Sequence, residues 1–382
     1  MDLSELTDEQ LCGFHRIASR AVNRRYEDNR ILTLCAPAGT GKTYIMRKVS
    51  HFLYQIGVEY AVTAFTGRAC SHIQKEGIIA GTMHSLFLTP VLDDDGNLER
   101  WEEKSPSEVK AVVGEVILVD EASMMPSDMY RRIMSIPDTS VVLVGDDAQL
   151  PSIEAPGSEP FDGMNLPDTE RFTFTRNWRQ EGGSTIATLC EHIRQSPNIP
   201  RRNSHDVRVL PKSTVLNYKF HEQHQYDVVL CGKNKTRQKL NDMIRTSRGF
   251  SGECPTIGEI VICKRNDIVT NQKINNGELY SVEGAFYGDE TSRYMLKCLD
   301  RPQRLAVTVL NETWQTEKAP KKHKGRPIQL FTFGYAITVH AAQGSQFENI
   351  LFLDENVSFF LDQQRWRYTA ISRASEMLTI AI

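Results

Sequence analysis

Residues 31–43 read Ile-Leu-Thr-Leu-Cys-Ala-Pro-Ala-Gly-Thr-Gly-Lys-Thr, and this stretch decides the fold. Ile31 to Cys35 are apolar or small, as in a buried strand. The loop Ala36-Pro37-Ala38-Gly39-Thr40-Gly41 follows, and Lys42-Thr43 opens a helix with Ile45, Val49, Phe52, Leu53 and Ile56 on one face. Strand, glycine-bearing loop, Gly-Lys-Thr and helix, in that order, make a phosphate-binding loop. Gly39 and Gly41 let the backbone close round an anion, with N–H groups of the loop and helix N-terminus aimed at phosphate oxygens. Lys42 would reach the β- and γ-phosphates, and the Thr43 hydroxyl would bind Mg²⁺. Ala36 stands where the usual pattern has glycine, and a small residue still fits. The plain alternative, a turn that carries Lys-Thr by chance, is disfavoured by the flanking strand and helix.

The 382 residues have room for two or three domains. Apolar content of 40% and charged content of 24% are ordinary for a soluble globular protein. No apolar run approaches the roughly 20 residues of a membrane helix. The polar, acidic start MDLSELTDEQ lacks a signal-peptide pattern, so a cytoplasmic protein without a membrane partner is expected. Eight cysteines with no Cys-x-x-Cys pair read as reduced thiols. His221 and His224 have H-x-x-H spacing, but no Cys or carboxylate cluster accompanies them in sequence, so a metal site there is the weaker reading. A net charge of −3 means that a nucleic-acid partner would need a locally basic groove.

Leu6-Thr7-Asp8-Glu9-Gln10 reads as a helix start, with Thr7 and Gln10 forming a capping box. Tyr60 to Phe65 is a second strand ending in Thr66-Gly67-Arg68-Ala69, and Gly81-Thr82-Met83-His84-Ser85-Leu86-Phe87 follows. Polar residues at strand ends in an α/β domain lie on its functional edge. Residues 89–101 read as a β-hairpin turning at Asp95-Gly96. Val116 to Val119 is a third strand, ending in Asp120-Glu121-Ala122-Ser123. One carboxylate there can hold Mg²⁺ opposite Thr43, and the next can deprotonate the water that attacks a γ-phosphate. A fourth strand, Val141 to Val144, runs into Gly145-Asp146-Asp147-Ala148-Gln149, whose neutral amide suits a γ-phosphate or its attacking water. Residues 1–157 thus form one parallel-sheet lobe, with the hairpin insertion at about 88–110. The turn-rich 156–167 reads as a linker, so a second lobe is expected over 158–256 and 328–382. Between them, 257–327 alternates short strands with turns, an all-β insertion ending in the basic loop KAPKKHKGR at 318–326.

The motifs in order resemble those of superfamily 1 helicases, most closely the Dda-like and RecD-like branch that moves 5′ to 3′ on DNA. They are LTDEQ, APAGTGKT, AFTGRA, GTMHSLF, VDEAS, GDDAQLP, NWRQ, TVHAAQGSQF and YTAISRA, with IGEIVICKRND and INNGELYSV for the branch. The resemblance implies two RecA-like lobes with ATP between them, single-stranded DNA across their tops, and an SH3-like β insertion in the second lobe. It puts Gln10 on the adenine edge and Trp178 against the base. Lys42 and Thr43 hold phosphate and Mg²⁺, with Gly344 also in the nucleotide site. Asp120 assists the metal, Glu121 is the catalytic base, Gln149 senses the γ-phosphate, and Arg179 and Arg373 are arginine fingers. Thr66, Arg68, Thr82, His84, Thr338 and His340 match strand contacts. Phe87 and Phe65 could stack on bases or pack in the core, with Phe87 counted among the strand contacts and Phe65 leaning to the core. The hairpin matches a strand-separating pin, with Trp101 as a candidate contact. Ser372 stands where many relatives have Thr.

The leading expectation is an ATP-dependent 5′-to-3′ DNA helicase, acting as a monomer in replication, recombination or repair, in a bacterial or phage setting. Its partners would be single-stranded and tailed duplex DNA, with single-strand-binding, replication or recombination proteins. A DNA-dependent translocase that displaces bound proteins, and an RNA helicase, are the alternatives.

Overall fold

The computed structural model describes residues 3–23, 31–93, 98–151, 171–177, 182–266, 274–318, 322–324, 326–357 and 362–382. The chain divides into two units, Met1–Thr89 with Glu102–Ala187, and Pro90–Trp101 with Thr188–Ile382.

In the first unit the strands are β1 (Ile31–Cys35), β2 (Tyr60–Ala64), β3 (Ala80–Thr82), β6 (Val116–Asp120), β7 (Ser140–Gly145) and β8 (Arg171–Thr173). They form one parallel sheet in the order β3-β2-β6-β7-β1-β8. Successive side chains of a strand point to opposite faces, and here both faces are covered. Leu32, Leu34, Leu118, Val142 and Val144 enter one core, with Phe14 and Ile17 of α1 (Asp8–Asn23) and Ile45 and Val49 of α2 (Lys42–Gln55). Ile31, Cys35, Ile117, Val119, Val141 and Leu143 enter the other, with Met129 and Ile133. Two-sided burial explains the unbroken apolar runs. In α2, Ile56 is the C-cap and is exposed, so the expected apolar face ends at Leu53. Between β3 and β6, β4 (Leu88–Leu92) pairs with β5 (Leu98–Glu103); the Asp95-Gly96 turn lies outside the described residues.

β8 corrects the expected lobe boundary at residue 158. Thr33, Leu34 and Cys35 pair in parallel with Arg171, Phe172 and Thr173, so the chain adds one more strand to the first sheet before leaving it. A parallel neighbour requires a crossover connection, and in sequence a turn-rich crossover is indistinguishable from a linker.

The second unit has a parallel sheet of β9 (Val207–Leu210), β10 (Val228–Cys231), β18 (Ala336–Thr338), β19 (Phe347–Leu353) and β20 (Ala374–Ala381). Their order is β18-β10-β19-β20-β9. Inserted in it are β11 (Ile260–Cys263), β12 (Leu279–Phe286), β13 (Thr291–Cys298), β14 (Arg304–Leu310) and β17 (Phe331–Phe333). They form an antiparallel sheet in the order β14-β13-β12-β11-β17. In β13, Ser292, Tyr294, Leu296 and Cys298 are buried while Arg293, Met295 and Lys297 face out. The expected boundary at 327/328 also moves. Phe331–Phe333 pairs with Val261–Cys263, and its rings pack on Tyr280 and Trp314 at 5.6 and 5.4 Å. Gly334 then carries the chain to the parallel sheet, where a Cβ would come within 2.9 Å of Leu279 and 3.0 Å of the Val261 backbone. Buried ion pairs join Arg245 to Glu259 and Arg301 to Glu278. In the basic loop, β15 (Lys322–His323) pairs with β16 (Arg326–Pro327), and His323 and Lys324 pair with Glu290 at 2.8 and 2.6 Å. No helix among the described residues is long and apolar enough to cross a membrane.

Candidate nucleotide and nucleic-acid sites

The phosphate loop leaves β1 at Ala36, whose N–H donates to Gly145 O at 2.8 Å. Gly39 and Gly41 have φ of 86° and 92°, the left-handed region that favours glycine. The Thr40 hydroxyl closes the turn onto Pro37 O at 2.8 Å. Lys42 Nζ folds back to Ala36 O at 2.9 Å, a bond it must exchange to meet a phosphate.

Gln10 serves two roles at once. Its N–H donates to Thr7 Oγ1 and its Oε1 accepts from Thr7 N–H, both at 3.3 Å, which is the capping box. Its Nε2 donates to Thr40 O at 3.3 Å, and a Cβ on Gly41 would lie 2.6 Å from that nitrogen. The side chain is 4% exposed, so in this conformation it contacts the loop.

Asp120 ends β6 and accepts from Glu121 N–H at 2.9 Å. Burial pushes the Asp120 carboxyl above the usual carboxylate range; the Glu121 charge adds to this and the Lys42 ammonium opposes it. Glu121 has φ 50° and ψ 40°, a left-handed conformation that costs a non-glycine residue on the order of 1–3 kcal/mol. Its Oε2 is buried with no hydrogen-bond partner among the described residues. Gln149 is 1% exposed, and neither its Oε1 nor its Nε2 has a partner among the described residues. Its position is set from behind: Gln149 N–H donates to Asp146 O at 3.2 Å, and Asp146 Oδ1 accepts from Ala148 N–H at 3.2 Å. A buried polar group left unpaired costs about 1–3 kcal/mol. Unpaired oxygen and amide groups at the carboxyl edge of a sheet that carries a phosphate loop fit a nucleoside triphosphate, its attacking water and a hard cation.

Two contributors escaped the sequence reading. Asn177 Nδ2 donates to Ala38 O at 3.0 Å. Glu9 Oε1 accepts from Thr175 N–H and Oγ1, both at 2.8 Å, and its Oε2 accepts from Arg176 N–H at 3.1 Å. Both residues lie inside quoted motifs, LTDEQ and NWRQ, but their partners are distant in sequence. Trp178 and Arg179 lie outside the described residues.

In the second unit Arg373 is 5% exposed. Its donors reach Thr369 O at 3.2 Å, Ser345 O at 3.2 Å and Ser372 Oγ at 3.0 Å. Ser372 in turn donates to Thr369 O at 3.0 Å, so its hydroxyl is the working group and a threonine would supply the same one. Gly344, at φ 71°, follows the turn His340–Ala342. Thr338 Oγ1 accepts from Ala341 N–H at 3.3 Å, and burial lowers His340 to about 4, so this imidazole is neutral at pH 7.

On the first unit, Ala64 pairs with Thr82 and with Asp120, which brings Thr66, Arg68, Thr82 and His84 to the same sheet edge as the carboxylates. Thr66 and Thr82 are also helix N-caps, accepting from Ala69 and Ser85 N–H at 3.1 and 3.2 Å. Arg68 is buried, and His84 packs against Phe65 at 5.4 Å. Phe87 corrects the stacking expectation: it is 3% exposed, in a core cluster with Met83 and Leu86. Trp101 is 45% exposed. His221 and His224 each give a ring nitrogen to a main-chain carbonyl, Val215 at 2.8 Å and Phe220 at 3.0 Å. That makes H-x-x-H a packing pair, and no His/Cys/Asp/Glu metal cluster occurs among the described residues.

Comparison with known proteins agrees with this geometry. The AAA domain family matches residues 18–202, and the UvrD-like helicase C-terminal domain matches 333–381. The ATP-dependent DNA helicase PIF3 of Trypanosoma brucei brucei is 31% identical over 94 residues, 25% of this chain and 10% of that protein. The ATP-dependent RecD2 DNA helicase of Deinococcus radiodurans is 28% identical over 130 residues, covering 33% and 17%. The ATP-dependent DNA helicase Pif1 of Psychrobacter is 26% identical over 175 residues, covering 42% and 25%. The chain thus spans between 10% and 25% of the length of these relatives. Among solved structures, Bacteroides Pif1 in complex with ADP-AlF3 and ssDNA superposes with a TM-score of 0.59 at 18% identity, over 100% of this chain and 93% of that one. Candida albicans Pif1 gives 0.58 at 16%, over 100% and 94%. The fold is therefore that of these Pif1 helicases, and in its two domain matches and its relatives the chain is similar to the Pif1/RecD-like helicases.

Proposed function

We propose that the chain is an ATP-dependent DNA helicase that moves 5′ to 3′ on single-stranded DNA and separates duplexes. The observation that carries this is the Gln149 amide and the Glu121 Oε2, buried on the sheet edge that bears the phosphate loop and without a hydrogen-bond partner among the described residues. The names of the relatives support ATP and DNA as substrate and partner. Mg²⁺, held by Thr43 and Asp120, would neutralise charge on the β- and γ-phosphates. Lys42 leaves Ala36 O for the phosphates. Glu121 takes the proton of the attacking water while Gln149 orients that water. Arg179 and Arg373 supply positive charge to the transition state, and Gly344 adjoins the nucleotide. Gln10 and Trp178 hold the adenine. Thr66, Arg68, Thr82, His84, Thr338 and His340 form the strand-binding edge without reading sequence. The hairpin with Trp101 acts as the pin, and the antiparallel insertion is the SH3-like element. Action as a monomer, partnership with single-strand-binding or replication proteins, and a cytoplasmic setting belong to the same proposal.

ATP turnover measured with no nucleic acid, with single-stranded DNA and with RNA of equal length tests it. Stimulation by DNA well above that by RNA is expected; equal stimulation by RNA would move the assignment to an RNA helicase.

A further inference from the structure

Three alternate carbonyls of the phosphate loop accept from side-chain N–H groups. Ala36 O accepts from Lys42 at 2.9 Å, Ala38 O from Asn177 at 3.0 Å, and Thr40 O from Gln10 at 3.3 Å. The peptide planes of Ala38 O and Thr40 O point the N–H groups of Gly39 and Gly41 the opposite way, so a donor fixed on each outer carbonyl turns an N–H inward, where a nest meets an anion; the Ala36 plane ends on Pro37 and has no N–H. Lys42 has to leave for the phosphates, and Asn177 and Gln10 remain. Asn177 is itself placed. Phe174 N–H continues the β8 pairing onto Cys35 O at 2.9 Å, and the Glu9 carboxylate then collects Thr175 N–H, Thr175 Oγ1 and Arg176 N–H. Glu9, in the first turn of α1, thus fixes the two residues that precede Asn177, whose amide reaches Ala38 O.

We propose that Asn177 is a positioning residue for the phosphate loop: its amide, set by Glu9, pre-forms the nest that receives the diphosphate part of a nucleotide. It acts through Ala38 and touches no phosphate itself. The inference rests on the reading of 36–43 as a nucleotide site.

The test uses the full chain without DNA and a fluorescent N-methylanthraniloyl-ADP. Losing one neutral amide bond should weaken ADP about three- to tenfold in Asn177→Ala. In turnover the loss should fall on KM for ATP more than on kcat. Asn177→Asp keeps size and shape but presents an oxygen to Ala38 O, so it should bind ADP more weakly than Asn177→Ala. Glu9→Gln should weaken ADP as well, and adding it to Asn177→Ala should cost little more, since both break one chain of bonds. ADP affinity at the wild-type level in Asn177→Asp would overturn the proposal, and so would full additivity of Glu9→Gln with Asn177→Ala. If Asn177→Asp does not fold, the other two variants carry the test. Lys42→Ala separates the layers. Wild-type ADP affinity there removes the nucleotide-site reading, whereas loss there with no effect at Asn177 removes only this inference.

Discussion

Replacing Gln149 by Leu should move stability and activity in opposite directions. Gln149 is 1% exposed, and both of its amide atoms lack a partner among the described residues. Leucine is close in size and removes two unpaired buried polar atoms, each of which costs about 1–3 kcal/mol. Relaxation and a shorter side chain return part of that, so a net gain on the order of 1–3 kcal/mol is expected for the nucleotide-free protein. For a domain of 150–250 residues, about 1 kcal/mol corresponds to roughly 2–4 °C in melting temperature. Calorimetry or dye-monitored melting without nucleotide should therefore show a rise of several degrees. Steady-state ATP turnover with saturating single-stranded DNA should fall about 10²-fold, the usual scale for losing one group aimed at developing charge. Natural active sites trade stability for function in this way. A lower melting temperature together with unchanged turnover would refute the reasoning, because it would mean that the amide is already satisfied within the folded protein.

Glu121→Gln should keep ATP affinity while hydrolysis falls by roughly two orders of magnitude or more, measured by equilibrium binding beside single-turnover cleavage; unchanged hydrolysis would exclude Glu121 as the base. Arg373→Ala should lose both rate and stability, because its bonds to Thr369, Ser345 and Ser372 hold the segment after Gly344. Ser372→Thr keeps the hydroxyl and should leave turnover within about twofold; a large loss would show that Ser372 is chosen for size. His340 supplies a pH prediction. Its folded value of about 4 lies below the usual imidazole value, so the unfolded chain binds more protons between those limits. Stability should therefore fall as pH drops through that window, and His340→Asn should flatten the slope of melting temperature against pH between 7 and 5. An unchanged slope would place the imidazole in water.

Where one residue type at one spacing dictates geometry, the fold was legible. Gly39 and Gly41 had to be glycines, and the apolar runs of β1, β6 and β7 had to be covered on both faces. Asp120 and Glu121 at a strand end read as chemistry, and in the structure Glu121 Oε2 is buried without a partner among the described residues. Choices decided by distant partners were not legible. Nothing local shows that Arg171–Thr173 returns to the first sheet, or that Phe331–Phe333 belongs with Tyr280 and Trp314. Phe87 reads alike as a stacking platform or as core, and only the surrounding Met83 and Leu86 decide for core. Glu9 and Asn177 act on backbone more than 100 residues away, and such contacts leave no periodic trace in sequence.

The most direct measurement is strand displacement by the purified chain with ATP and Mg²⁺, on one duplex with a 5′ single-stranded tail and on one with a 3′ tail. Unwinding of the 5′-tailed duplex alone is the expected result. Unwinding of the 3′-tailed duplex, or of neither while single strands still stimulate ATP turnover, would contradict the account of a 5′-to-3′ helicase.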